Sequence, residues 1–129
     1  MPKNEIRDPE KEKTTGAYSA AIEADGWVYV SGQGPLDPKT AQVVRGTIEE
    51  ETKLVLTHIE RILKAAGCTL SDVVKSTVHL SDIKEFDRFN AVYKEFFKNA
   101  TPLPARTTVQ SVLWGGIKVE IDVVAKKAK

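Results

Sequence analysis

The sequence predicts an α+β fold in which a mixed β-sheet carries two helices packed on one face. Three observations point to it. Strand-like and helical runs follow one another as two strands, a helix, a strand, a second helix and two strands. Each helical run bears one apolar stripe at helical spacing, and the last strand alternates apolar and polar residues. Elements mixed in this order bury both stripes most simply against one side of a single sheet. At 129 residues the chain has the length of one domain, 1–129, with residues 1–14 expected to be extended or partly disordered.

The first two strands are expected at Tyr18–Ala24 and Trp27–Ser31, joined by Asp25 and Gly26, a pair suited to a tight hairpin turn. Gly32, Gly34, Pro35 and Pro38 then interrupt the pattern, and Asp37–Thr40 reads as a turn before a short extended piece at Gln42–Val44. Thr47 opens the first helix. Its hydroxyl and the carboxylate of Glu50 form a capping box, Ile48, Thr52, Val55, Ile59, Ile62 and Ala66 form the stripe, and Gly67 supplies a left-handed stop.

Val73–Leu80 is β-branched and reads as a strand. Asp82 and Glu85 begin a second helix that runs to about Lys98, with Phe86, Phe89, Tyr93, Phe96 and Phe97 as its stripe. After Pro102 and Pro104 come strands at Arg106–Val112 and Ile117–Val124, joined through Gly115 and Gly116.

Strand parity assigns faces. Val119, Ile121 and Val123 should lie under the helices, sending Lys118, Glu120 and Asp122 to the other side. In the preceding strand, Val109 with Thr107 is expected under the helices, and Arg106, Thr108 and Gln110 away from them. Arg106 and Glu120 would then share the open face, together with Trp27, Tyr29, Val73 and Thr77. Large apolar groups on an open face call for a cover, and further copies of the same sheet in a closed ring supply one.

Arg106 is the candidate binding residue. A guanidinium following a proline-framed segment is a pre-organised fork for a carboxylate, although an arginine at a strand end also serves as a solvated charge. Nineteen basic and eighteen acidic residues leave a net charge of +1, which gives no field to draw the chain onto nucleic acid or anionic lipid. No apolar run reaches membrane-spanning length, and the charged amino terminus is unlike a secretory signal. Cys68, the single cysteine, permits no intrachain disulfide and too few ligands for a thiolate zinc site, so a reducing cytoplasm is the expected compartment. His58 reads as a packed or solvated helix residue, and His79 falls near a strand end on the open face. No metal and no cofactor is expected.

A series of short matches runs through the chain in order. It comprises Gly16-Ala17-Tyr18-Ser19, Val30-Ser31-Gly32-Gln33, Asp37-Pro38-Lys39-Thr40, and Leu63-Lys64-Ala65-Ala66-Gly67-Cys68 before Val73–Val78. Phe89-Asn90, Tyr93, Phe96-Phe97, Pro104-Ala105-Arg106 and Val119-Glu120-Ile121 complete it. In this the sequence resembles the RidA/YjgF family of enamine and imine deaminases. The resemblance implies a chorismate mutase-like fold assembled as a homotrimeric barrel with ligand clefts between subunits. It also implies hydrolysis of intermediates such as 2-aminoacrylate to 2-keto acids and ammonia, with a small imino or enamino acid as the only partner besides other copies of the chain.

Carried over position by position, the resemblance gives Arg106 the substrate carboxylate and Glu120 the attacking water. The backbone at Ser31, Gly32 and Thr108 would line the pocket, with Tyr18 closing it and Asn90 supporting it. Three departures from the family pattern are Ala17 for a proline, Thr108 for a cysteine, and Trp114-Gly115-Gly116 in place of a proline-lysine pattern. Rival readings are a non-catalytic small-carboxylate binder, a holdase, and an aminomuconate-type deaminase. Ribonuclease activity, attached to some relatives, gains no support from the charge balance.

Overall fold

A computed structural model describes residues 2–12 and 16–128. In chain order the elements are β1 (Asn4–Ile6), β2 (Ala21–Ala24), β3 (Trp27–Gln33), α1 (Ile48–Ala65), β4 (Val73–Leu80), α2 (Phe86–Phe96), β5 (Ala105–Gln110) and β6 (Val119–Lys126). The strands form one mixed sheet in the order β1-β2-β3-β6-β4-β5. Among the described residues only the β4–β5 pair, which α2 connects, is parallel. Among the described residues no helix is long and apolar enough to cross a membrane.

The expected α+β arrangement is present. Asp25 and Gly26 have φ of 54° and 80°, the left-handed pair that a type I′ turn requires, and Ala24 pairs with Trp27 across it. At α1 the capping box is complete: the Glu50 amide donates to Thr47 Oγ1 at 3.1 Å, and the Thr47 amide to Glu50 Oε1 at 2.8 Å. Gly67 has φ 81°. A single 3₁₀ turn, Ile83–Glu85, precedes α2, and Asp82 accepts from the Lys84 amide at its start. β1 is not legible in the sequence, since three residues are too few to show alternation.

The core lies between the helices and one face of the sheet. Val55, Leu56, Ile59 and Ile62 of α1 and Phe89 of α2 meet Val28, Val78, Leu80 and Ile121, all fully buried. Glu51 is buried among them as a tie between elements. Its Oε1 accepts from the Lys118 amide at 2.7 Å, and Oε2 from the Gly46 amide at 3.0 Å and from Lys118 Nζ at 3.2 Å.

Two face assignments differ from those parity predicts. β5 is an edge strand whose register is set by its parallel neighbour, which places Arg106 beside Ser76, Thr108 beside Val78 and Gln110 beside Leu80. Those three β4 residues are fully buried, so Arg106 and Thr108 face the helices, and Val109 is the one left 40% exposed on the open side. An edge strand buries too little for one valine to set its parity. The second change is at β4, where the register shifts between Val73 and Lys75 and turns Val73 into the core. Trp27, Tyr29 and Thr77 stay on the open face, as expected.

Candidate functional site

β5 carries Arg106 onto an aromatic shelf built by α2. Phe86, Phe89 and Tyr93 recur at helical spacing, and the guanidinium carbon lies 5.4, 6.0 and 4.7 Å from their ring centroids. Asn90, on the same helix, accepts from Arg106 Nη1 at 2.8 Å. Cation–π contact and this hydrogen bond hold the guanidinium plane and leave its remaining donors available to an anion. A cavity of about 390 Å³ opens beside it, lined by Asn90, Tyr93, Lys94, Leu103 and Arg106 among others.

Three hydroxyls on the helix-bearing side of the sheet lie buried without a hydrogen-bond partner among the described residues: Ser76 Oγ, Tyr93 Oη and Thr108 Oγ1. Burial pushes the Tyr93 hydroxyl above its ordinary pKa, against the smaller opposing influence of Ser76 and Arg106, so it stays protonated at neutral pH. Ser76 is close enough to exert that influence, yet the two oxygens do not meet in hydrogen-bond geometry.

Glu120 belongs to a second grouping, on the open side of the sheet. β6 directs it there beside His79, and the irregular register of β3 between Val30 and Gln33 brings Ser31 and Gly32 against it. At Gly32 a β-carbon would stand 2.6 Å from Glu120 Oε2, so only glycine permits this approach. Ser31 Oγ donates to the Ser19 carbonyl at 2.6 Å, and its amide to the Ala20 carbonyl at 2.9 Å, which fixes the segment entering β2. A cavity of about 310 Å³ results, lined by Lys11, Tyr18, Ser31, Leu36, Trp114 and Glu120 among others. Trp114 stands on a 3₁₀ turn with Gly115 at φ 65° and Gly116 at φ 74°.

The residues singled out in the sequence therefore fall into two groups. Tyr18, Ser31, Gly32 and Glu120 come together, as do Asn90, Arg106 and, on the same side of the sheet, Thr108. Within one copy of the chain the sheet lies between the groups. The expectation that Arg106 and Glu120 share a face is corrected by the β4–β5 register.

Sequence reasoning missed Lys11, whose ammonium lies 5.8 Å from the Tyr18 ring centroid, and Leu36. It also missed the triplet of buried Asp8 and His58 with half-buried Arg61: His58 and Arg61 lie one helical turn apart, but Asp8 stands fifty residues before them in sequence. His79 bonds Ser111 Oγ through Nδ1 at 2.9 Å, with Nε2 3.7 Å from Asp122. Among the described residues no group of three or more histidines, cysteines and carboxylates is placed to hold a metal ion.

Residues 9–127 match the family model described as Endoribonuclease L-PSP. A RutC family protein of Saccharolobus solfataricus is 48% identical over 117 residues, covering 90% of this chain and 91% of its own. The 2-iminobutanoate/2-iminopropanoate deaminase of Bos taurus is 46% identical over 110 residues, 85% of this chain and 80% of its own. Among solved structures, the Rid family protein YyfA of Yersinia pestis superposes with a TM-score of 0.91 at 36% identity, covering 98% of this chain and 100% of its own. TdcF of E. coli with bound serine does so with a TM-score of 0.88 at 29% identity, over 97% and 99%.

Proposed function

Because the chain belongs to the Endoribonuclease L-PSP family, which holds the RidA and YjgF proteins, we propose that it hydrolyses small 2-enamino and 2-imino acids, 2-aminoacrylate among them, to 2-keto acids and ammonia. The deaminase name borne by mammalian relatives at 44–46% identity supports imine deamination as the reaction class. The observation that carries the assignment to this chain is Arg106 itself, a guanidinium held by three rings and Asn90 with donors to spare beside a cavity. That is a receptor for a carboxylate. The serine bound to TdcF, an amino acid in a related fold, agrees with a ligand of this size and charge.

The chemistry asks little of the protein. An enamine takes a proton on carbon to become an imine, water adds to the imine carbon, and the carbinolamine collapses to the keto acid while ammonia leaves with the nitrogen. Arg106 binds the carboxylate through parallel hydrogen bonds, and Glu120 holds the water against the imine carbon. Orientation and one positioned carboxylate suffice for a substrate already labile in water.

Arg106 and Glu120 lie on opposite sides of the sheet in one copy, so the reading requires their meeting between copies. Arg106 stands on the outermost strand, within reach of a neighbour, and Trp27, Tyr29 and Val109 leave apolar surface on the open face. A closed homotrimer with inter-subunit clefts joins one copy's Arg106 group to the next copy's Glu120 group. The near-neutral charge of +1 supports a small ligand over an RNA chain.

The test is pyruvate release from freshly generated 2-aminoacrylate, coupled to lactate dehydrogenase. Arg106→Ala is expected to fall to the uncatalysed rate, and Glu120→Gln to lose about a hundredfold or more while still binding pyruvate. Acceleration by Arg106→Ala equal to that of the unmodified protein, or a monomer in light scattering at assay concentrations, refutes the proposal. Full activity in Glu120→Gln would remove that carboxylate from the mechanism, whereas an unmodified protein that binds pyruvate without accelerating its release would be a binder without catalysis.

A further inference from the structure

We propose that Asp8, Arg61 and His58 form a relay that positions the rim of the Glu120 cavity, which makes His58 a positioning residue for ligand binding there. The inference rests on reading that cavity as a ligand site. It starts from a proton inventory with one solution. The Leu36 carbonyl can only accept, so His58 Nε2, 2.7 Å away, carries a hydrogen. Nδ1 of the neutral ring is then a lone pair, and it accepts from Arg61 Nη2 at 2.7 Å. Arg61 also donates from Nε and Nη2 to the two oxygens of Asp8, at 2.7 and 2.8 Å. The chain of donation runs from Arg61 to Asp8 on one side, and through His58 to Leu36 on the other.

Both ends of the relay reach the cavity. Leu36 lines it, on a loop closed by the Leu36–Val43 bridge and by the Asp37 amide donating to the Gln42 carbonyl. Asp8 sets the turn that delivers Lys11: its carbonyl accepts from the Lys11 amide at 3.1 Å and its carboxylate from the Glu10 amide at 3.0 Å. Lys11 then lies over Tyr18, on the cavity wall. One buried helix position thus registers two irregular segments against each other, and those segments hold Leu36, Lys11 and, through Lys11, the Tyr18 ring.

The relay works only with a neutral histidine. A proton on Nδ1 removes the acceptor and sets an imidazolium against the Arg61 guanidinium, with Lys11 a further cation on the segment facing it. Asp8 and Glu10 on that segment, and Asp37 on the loop, are the anions placed around the site. Burial, followed by the charge of Arg61, keeps the ring neutral at physiological pH.

The experiment compares the unmodified protein with His58→Phe, which fills the space but lacks both bonds, and His58→Gln, whose amide supplies one donor and one acceptor. Amide hydrogen exchange is followed at residues 8–12 and 34–44, and 2-ketobutyrate affinity by isothermal titration between pH 8 and pH 5. In His58→Phe, exchange in both segments should rise about tenfold or more while α2 amides are unchanged, and affinity at pH 8 should fall about fivefold. His58→Gln should stay within about twofold on both readouts and should lose the acid-side decline in affinity shown by the unmodified protein. Unchanged exchange and affinity in His58→Phe, or the same acid-side decline in His58→Gln, overturns the relay. Failure of the unmodified protein to bind 2-ketobutyrate at all would count against the deaminase reading, and the exchange data would then decide the relay alone.

Discussion

Removing the buried carboxylate of Glu51 should be among the most damaging single changes to this fold. Its two oxygens accept from the backbone amides of Lys118 and Gly46 and from the Lys118 ammonium, at 2.7, 3.0 and 3.2 Å, with the side chain 1% exposed. In Glu51→Ala both amides lose a charged acceptor. Each such bond is worth about 1.5–3 kcal/mol, and water reaching the partly buried amides returns some of it, so the two together cost about 3–4 kcal/mol. The ammonium is a third exposed and adds less than about 1 kcal/mol. Against a total stability of about 5–15 kcal/mol this is a large share, and at about 4 °C per kcal/mol the unfolding midpoint should drop by about 12–16 °C. Glu51→Gln, which keeps one acceptor, should lose about half of that. Thermal unfolding followed by far-ultraviolet circular dichroism measures both. A midpoint for Glu51→Ala within about 3 °C of the unmodified protein would show that the tie between α1 and the start of β6 contributes little.

Other changes separate the site from the scaffold. Gly32→Ala would drive its methyl group into Glu120 Oε2, whose flexible end can swing away; activity on 2-aminoacrylate should fall about tenfold or more, with the midpoint moving by less than about 4 °C. Unreduced turnover would show that the carboxylate need not sit where it does. Thr47→Ala removes one half of the capping box and should cost about 1 kcal/mol in urea unfolding while leaving turnover intact. For pH, burial and then Arg61 hold the His58 ring below its ordinary 6.5, so the unfolded chain takes up the proton first and stability should fall as pH drops from 6.5 toward the folded value. Burial opposes ionisation of Asp8, but bonds from Arg61 and the Glu10 amide outweigh it and hold the carboxyl below 3.8, so a second loss should begin as pH falls under that value. Urea unfolding across this range, compared with His58→Gln, checks the first window; a rise in stability from pH 7 to 5.5 would contradict the sign.

Local rules read well wherever the information is local. The capping box at Thr47 and Glu50, the Asp25-Gly26 turn, the stripe of α1 and the alternation of β6 each lie within a few residues, and the structure contains them all. Membership of the family was equally legible, because ordered short motifs survive in sequence whatever surrounds them. Arg106 was singled out by its proline-framed approach. Its aromatic shelf follows from Phe86, Phe89 and Tyr93 lying at helical spacing, but their meeting with β5 does not.

Side and company were settled by contacts between distant segments. Whether Arg106 faces the helices depends on its pairing with Ser76, thirty residues earlier, and a parallel edge strand carries no alternation strong enough to announce that register. A slip of one residue would reverse every side chain on β5. The same holds for Val73, turned inward by a register shift, and for His58, kept neutral first by burial and tied through Arg61, one helical turn away, to an aspartate fifty residues before it. Periodicity and caps record what a residue does with its near neighbours, whereas strand register and buried charge pairing are energies of the packed chain, and no single segment holds them.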